Sequence, residues 1–253
     1  MKTIRKRVIG LAALGALCTT AAFYVYGRSV WVPAYQALVG RQTLAQVLAA
    51  YGASARARLA PYFEAAGADY PPEQVTLLAI KDTATLELWV GPAERPTLVR
   101  RYAIQKLSGT GGPKLREGDR QVPEGLYRVV GLNPDSSYHL SMKLNYPNSF
   151  DRANARAEGR DNPGSDIFIH GKAVSIGCLA MGDQAIEELF VLAADAGKDK
   201  VRVIIAPTDP RLQALDTGMS PRWVSDLYRQ VSREFHKYPL SPPRPSPLAG
   251  RGP

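Results

Sequence analysis

The stretch Ile167-Phe168-Ile169-His170-Gly171-Lys172-Ala173-Val174-Ser175-Ile176-Gly177-Cys178-Leu179-Ala180-Met181 sets a histidine and a cysteine eight residues apart, with a Ser-x-Gly turn between them. Its apolar start, Ile167-Phe168-Ile169, reads as a short buried strand that would hold His170 rigidly at its end. A thiol is a weak nucleophile until it ionises, and a neighbouring imidazole supplies the base it lacks. Gly177 lets the chain turn tightly, which leaves the backbone N–H groups of Gly177 and Cys178 free to face an oxyanion. A second reading fits the same residues: a buried structural cysteine beside a satisfied histidine, because free cysteine is among the most buried residue types. Compartment bears on the choice. The other cysteine, Cys18, lies in an N-terminal apolar segment, so an exported body carries one thiol and no disulfide partner.

Outward from this stretch, strand signals dominate. Val75–Ile80 and Thr85–Val90 flank Lys81-Asp82-Thr83-Ala84 as a hairpin, and Leu98–Ile104, Tyr127–Leu132, Tyr138–Leu144 and Val201–Ala206 add further strands. One amphipathic helix follows the cysteine from Asp183, its expected N-cap, to Ala194; another runs from Pro221 to Phe235. Many strands, few helices and no βαβ alternation predict a mainly β fold with attached helices, an α+β architecture with a largely antiparallel sheet. The body is expected over 70–210 and a C-terminal helix over 211–238. Residues 239–253, with six prolines in fifteen positions, are expected as a disordered tail.

Residues 34–69 show helical periodicity and read as a spacer, broken into pieces by Gly40, Gly52 and Pro61. Residues 1–33 read as a signal peptide or signal anchor. Lys2, Arg5, Lys6 and Arg7 precede 19 uncharged residues, Val8–Tyr26. That length suffices to span a bilayer, with Tyr24, Tyr26 and Trp31 at the outer interface, so a membrane tether by residues 8–26 is expected, with the body outside the cytoplasm. The chain of 253 residues has a net charge of +9, but residues 1–28 hold five basic groups and no acid, leaving +4 on the remainder. Nucleic acid is excluded as a partner on that balance. Gly109-Thr-Gly-Gly-Pro-Lys114 lacks the Gly-Lys-Ser/Thr ending of a phosphate loop, which excludes nucleotide binding, and nothing has metal-ligand spacing. No cofactor is expected.

Several blocks then coincide in order: Leu77–Trp89, Gly111-Gly-Pro-Lys114, Gly118-Asp-Arg-Gln-Val-Pro-Glu-Gly-Leu-Tyr127, Asn145-Tyr-Pro-Asn-Ser-Phe-Asp-Arg152, Ile169-His-Gly171 and Ser175-Ile-Gly-Cys-Leu-Ala-Met181. On these, residues 74–207 resemble the L,D-transpeptidase (YkuD-type) catalytic domain, a β-sandwich with attached helices, and within that family the YafK-like murein enzymes. The resemblance implies Cys178 as acyl-accepting nucleophile and His170 as general base. It further implies the Gly171 carbonyl as the group that fixes the imidazole, and the N–H groups of Gly177 and Cys178 as oxyanion donors. Commoner members carry a longer insert between the two residues and a second histidine two positions before the cysteine; here that position is Ile176.

Ser175, Arg152, Tyr146 and Lys114 are the weaker candidates for substrate contact. Arg152 has the fork to grip a stem-peptide carboxylate, or to pair with Asp151 or Asp166. Asp119 and Glu124 are expected to cap turns, and Lys172 to sit solvated at the cleft rim. The resemblance implies as partners peptidoglycan stem peptides, a murein-bound outer-membrane lipoprotein and, through residues 8–26, the inner membrane, with the body in the periplasm. The expected activity is hydrolysis of the amide joining meso-diaminopimelate to that lipoprotein. Two rivals stand beside it: an L,D-transpeptidase forming 3–3 crosslinks or attaching proteins, and a membrane-anchored wall-binding module with an inert Cys178.

Overall fold

The computed structural model describes residues 2–218 and 221–240, so the proline-rich tail expected over 239–253 lies, beyond Leu240, outside the described residues. The chain divides into two compact units, residues 1–42 and 43–253. In the first, α1 (Lys2–Tyr26) and α2 (Arg28–Val39) are separated at Gly27. The rings of Tyr24 and Trp31 stack across this break at 5.2 Å, and the Trp31 indole donates to the Tyr24 carbonyl at 3.2 Å. Among the described residues, no helix is long and apolar enough to cross a membrane.

The second unit opens with α3 (Leu44–Ala66), capped by a Thr43–Gln46 capping box and closed by left-handed Gly67. Gly52 and Pro61 lie inside this helix and do not break it, contrary to the sequence expectation. Magnitudes give the reason. An interior glycine costs about 1 kcal/mol and a proline about 3. Burying Val47, Leu59 and Phe63 contributes about 1.5–3 kcal/mol each. Of the stretch read as a spacer, α3 therefore lies packed within this unit, where Arg56 grips Asp195 through two bonds of 2.7 Å.

The strands are β1 (Val75–Ile80), β2 (Thr85–Val90), β3 (Thr97–Ala103), β4 (Gly125–Ser136), β5 (His139–Leu144), β6 (Phe168–His170), β7 (Leu179–Ala180) and β8 (Val201–Ala206). They form one eight-stranded sheet in the order β3-β2-β1-β8-β4-β5-β6-β7. Helices α4 (Ser149–Ala157), α5 (Asp183–Ala196) and α6 (Trp223–Phe235) complete an α+β fold. Most pairings are antiparallel, as expected, but β1 pairs with β8 and β6 with β7 in parallel. Both faces of the central strands are covered, and the alternation shows it. Leu77, Ala79, Val203 and Ile205 face the core shared with α3 and α5, while Leu78, Ile80, Ile204 and Ala206 face α6. This is why β1 reads as an almost unbroken apolar run.

Strand β4 serves two neighbours. Gly125–Arg128 pair with β8, the register shifts between Val129 and Gly131, and the rest of the strand pairs with β5. That irregularity hands the sheet over to β5, β6 and β7, where His170 and Cys178 lie. Glu124, expected as a turn cap, is instead fully buried at the base of β4. It accepts from Lys81 Nζ at 2.7 Å, the Gly112 amide at 2.9 Å and the Tyr228 hydroxyl at 2.6 Å. One carboxylate thus ties together the β1–β2 turn, the glycine-rich loop and α6.

Candidate active site

His170 ends β6, and Cys178 directly precedes β7. The parallel register pairs Ile169 with Leu179 and His170 with Ala180. Ile169 and Leu179 are wholly buried in the main core. Alternation therefore places His170 and Ala180 on the opposite face, and Cys178 stands in the bend that leads into β7.

The His170 side chain is almost wholly buried, and its Nδ1 lies 2.6 Å from the Gly171 carbonyl oxygen. A carbonyl only accepts, so Nδ1 carries the proton and Nε2 keeps a free lone pair. Burial lowers the pKa of His170 from the ordinary histidine value, against the opposing pull of the Gly171 carbonyl. Gly171 has to be glycine: a Cβ there would stand 2.7 Å from the Tyr138 carbonyl and 2.8 Å from Asp183 Oδ1. The Tyr138 ring lies against the imidazole, with centroids 4.8 Å apart and planes tilted by 36°.

Cys178 is partly exposed, with Sγ 3.9 Å from the Asp166 carbonyl. Burial pushes its thiol up to about 11, while a backbone hydrogen bond from Phe168 and the charge of Lys114 pull the other way. At neutral pH the resting pair is thus a thiol and a neutral imidazole.

The turn between them departs from expectation. The amides of Gly177 and Cys178 do not stand free; both point to Ser175 Oγ, at 3.3 and 3.2 Å. That hydroxyl donates to the Cys178 carbonyl at 2.6 Å and sits 3.1 Å from Ser108 Oγ, at the start of the glycine-rich loop. Ser175 is thus the centre of the turn. Asp183 is not an N-cap but the first residue of α5, behind Gly182. Its carboxylate takes both the amide and the ammonium of Lys172, so the Lys172 side chain is ion-paired while staying 34% exposed.

The remaining candidates lie behind or beside this cluster. Tyr146 is buried, and its hydroxyl donates to Pro163 O at 2.6 Å. Lys114 is buried with Nζ on Asp119 at 2.6 Å, so it reaches Cys178 through charge alone. Asp119 also accepts the amides of Leu115, Arg116 and Gln121, as a turn-holding carboxylate does. Arg152 is exposed on α4 and donates to the Pro147 carbonyl. Asp151 and Asp166, its expected ion-pair partners, bind the Asn148 amide and Lys143 instead. A cavity of about 520 Å³ lies elsewhere, between residues 210–217 and α6, and neither His170 nor Cys178 lines it.

Sequence reasoning missed Ser108, Tyr138 and the carboxylate of Asp183. It also missed α4, whose signal was present as the capping box Asn148–Asp151.

The L,D-transpeptidase catalytic domain family, YkuD, matches residues 80–205. The putative L,D-transpeptidase YafK of Escherichia coli K12 is 35% identical over 187 residues, covering 70% of this chain and 72% of that protein; its counterpart in strain O157:H7 matches equally. Among solved structures, the helical cell shape determining protein Pgp2 from Campylobacter jejuni is 22% identical with a TM-score of 0.45; the match covers 53% of this chain and 48% of that one. The catalytic-domain match takes in both His170 and Cys178, and the similarity to YafK extends over most of both chains: this protein belongs to the L,D-transpeptidase (YkuD) family.

Proposed function

We propose that the protein is a peptidoglycan-acting cysteine acyl-transfer enzyme, which hydrolyses the amide joining meso-diaminopimelate to a murein-bound lipoprotein. The observation that carries the reading is the His170 ring, with Nδ1 held by the Gly171 carbonyl and Nε2 left as a base at the end of β6, beside the strand that Cys178 leads into. Cys178 Sγ attacks the stem-peptide carbonyl as Nε2 takes the thiol proton. The tetrahedral oxyanion then collapses, the C–N bond breaks, and the imidazolium returns the proton to the leaving amine. Water, deprotonated by the same nitrogen, resolves the thioester and regenerates the thiol. The Gly177 and Cys178 amides now hold Ser175 Oγ only by long bonds. A developing oxyanion makes shorter, charge-assisted ones and competes for them.

Water rather than an amine as acceptor is supported by the short link of residues 171–177 and by Ile176, which is 72% exposed beside the nucleophile. The link leaves no room for the insert that the commoner family members carry. The test uses sacculi bearing covalently attached lipoprotein. We expect free lipoprotein and no 3–3 crosslinked muropeptides by mass spectrometry. Accumulation of 3–3 dimers, absent with Cys178→Ala, overturns hydrolysis in favour of transpeptidation.

Such a substrate places the enzyme in the periplasm, and the Lys/Arg-rich start followed by Val8–Tyr26 is proposed as the export signal. A reporter enzyme active only outside the cytoplasm should function when fused after Pro253. Activity only from a cytoplasm-dependent reporter overturns the assignment. N-terminal sequencing of the mature chain then reads whether residues 8–26 remain attached as a tether.

A further inference from the structure

We infer that Tyr138 is a positioning residue for the His170 imidazole, its ring fixing the plane in which Nε2 is presented to Cys178. The inference rests on the reading of His170 as general base. The last torsion of a histidine is broad, and one hydrogen bond at Nδ1 to the next residue's carbonyl pins an edge of the ring rather than its plane. The Tyr138 ring supplies the second restraint, in a tilted contact of 4.8 Å between centroids.

The turn that carries Tyr138 is secured from several directions, as a restraint has to be. The Tyr138 amide donates to Ser136 Oγ at 3.1 Å. His139 adopts a left-handed φ of 78°, which swings it away from Tyr138. Its Nε2 lies 2.9 Å from Glu187 Oε1 on α5, and its ring meets Tyr51 of α3 edge-on at 5.1 Å. On the other side, the Gly171 amide donates to Leu140 O at 3.1 Å, and Gly171 passes under the Tyr138 carbonyl where no side chain fits. Two helices and the residue after the base therefore hold the turn in place. The contact uses the aromatic face, so the hydroxyl is dispensable.

The experiment compares Tyr138→Ala, Tyr138→Leu and Tyr138→Phe with the wild type on lipoprotein-bearing sacculi, alongside iodoacetamide alkylation of Cys178 near neutral pH. We expect Tyr138→Ala and Tyr138→Leu to lose about tenfold in kcat and in alkylation rate with KM unchanged, and Tyr138→Phe to stay within about twofold of wild type. The leucine variant keeps apolar bulk if the alanine variant folds poorly. An alanine or leucine variant with wild-type kcat overturns the inference. So does a rise in KM alone, which would make Tyr138 a substrate platform, or a phenylalanine variant as impaired as alanine. Proton NMR of the His170 ring gives a readout independent of turnover: the ring-current shift from Tyr138 should survive in Tyr138→Phe and vanish in Tyr138→Leu. If wild type and Cys178→Ala act alike on murein, the acyl-transfer reading fails by itself, and the NMR comparison still judges the placement of Tyr138.

Discussion

Cys178→Ala is expected to abolish turnover, lowering the rate by ~10⁴-fold or more while leaving the fold intact. The loss is large because Cys178 is the group that forms the acyl intermediate in the proposed mechanism. Ser175, the nearest hydroxyl in sequence, is engaged with the Cys178 carbonyl and with the two amides of the turn. The structural cost is small because the residue is partly exposed and the partners of its sulfur, the Asp166 carbonyl at 3.9 Å and the Phe168 amide, make only weak bonds to it. Replacing SH by H at such a site leaves no sizeable cavity and orphans no strong hydrogen bond. Thermal unfolding should therefore coincide for the two proteins, while lipoprotein release from sacculi and covalent adducts at position 178 disappear. A variant that still processes murein at the wild-type rate would remove the nucleophile from the mechanism. In that case a wall-binding module becomes the better account of the chain.

The part of the site legible in the sequence is the part built from local pattern. Ile167-Phe168-Ile169 announces a buried strand because apolar β-branched residues have few other places to go, and β6 carries His170 at its end. Strand β1 is equally plain, since it is apolar on two covered faces, and β8 departs from that only at Arg202, whereas β2 carries the buried Glu87 on the face of Trp89. Strand β7 is not plain, because two residues are too short for any period to register. The long-range partners were invisible for a different reason. Tyr138 meets His170 across 32 positions of sequence, by way of a hairpin whose placement depends on the β4 irregularity and on the left-handed His139. Glu124 looked like a turn residue by composition; its burial follows from Lys81, Gly112 and Tyr228 arriving from three separate elements. Ser175 illustrates a subtler limit. The sequence identifies a tight turn, but whether its amides stand free or are engaged depends on where one hydroxyl lies.

His170→Gln should slow acylation by ~10²–10⁴-fold, the span of general base catalysis. Glutamine is the informative replacement. His170 is buried and satisfies the Gly171 carbonyl, so alanine would leave both a void and an unpaired acceptor, whereas glutamine retains volume and an N–H donor but no base. The pH dependence separates this effect from a loss of structure. As the proposed base, the wild-type imidazole would work only when neutral, and burial holds its pKa below the ordinary histidine value. Activity should accordingly persist into mildly acidic solution and fall as pH drops through that lowered pKa. In the variant the thiol has to ionise unaided, and burial places that ionisation at about 11. Alkylation of Cys178 in His170→Gln should therefore be slow near neutrality and climb by about tenfold per pH unit, so that its deficit against the wild type shrinks as pH rises. Iodoacetamide alkylation followed from pH 5 to 10 by intact mass reads both curves. If the two profiles run parallel at equal rates near neutrality, the imidazole does not take the proton, and the base has to be sought in another group or in solvent.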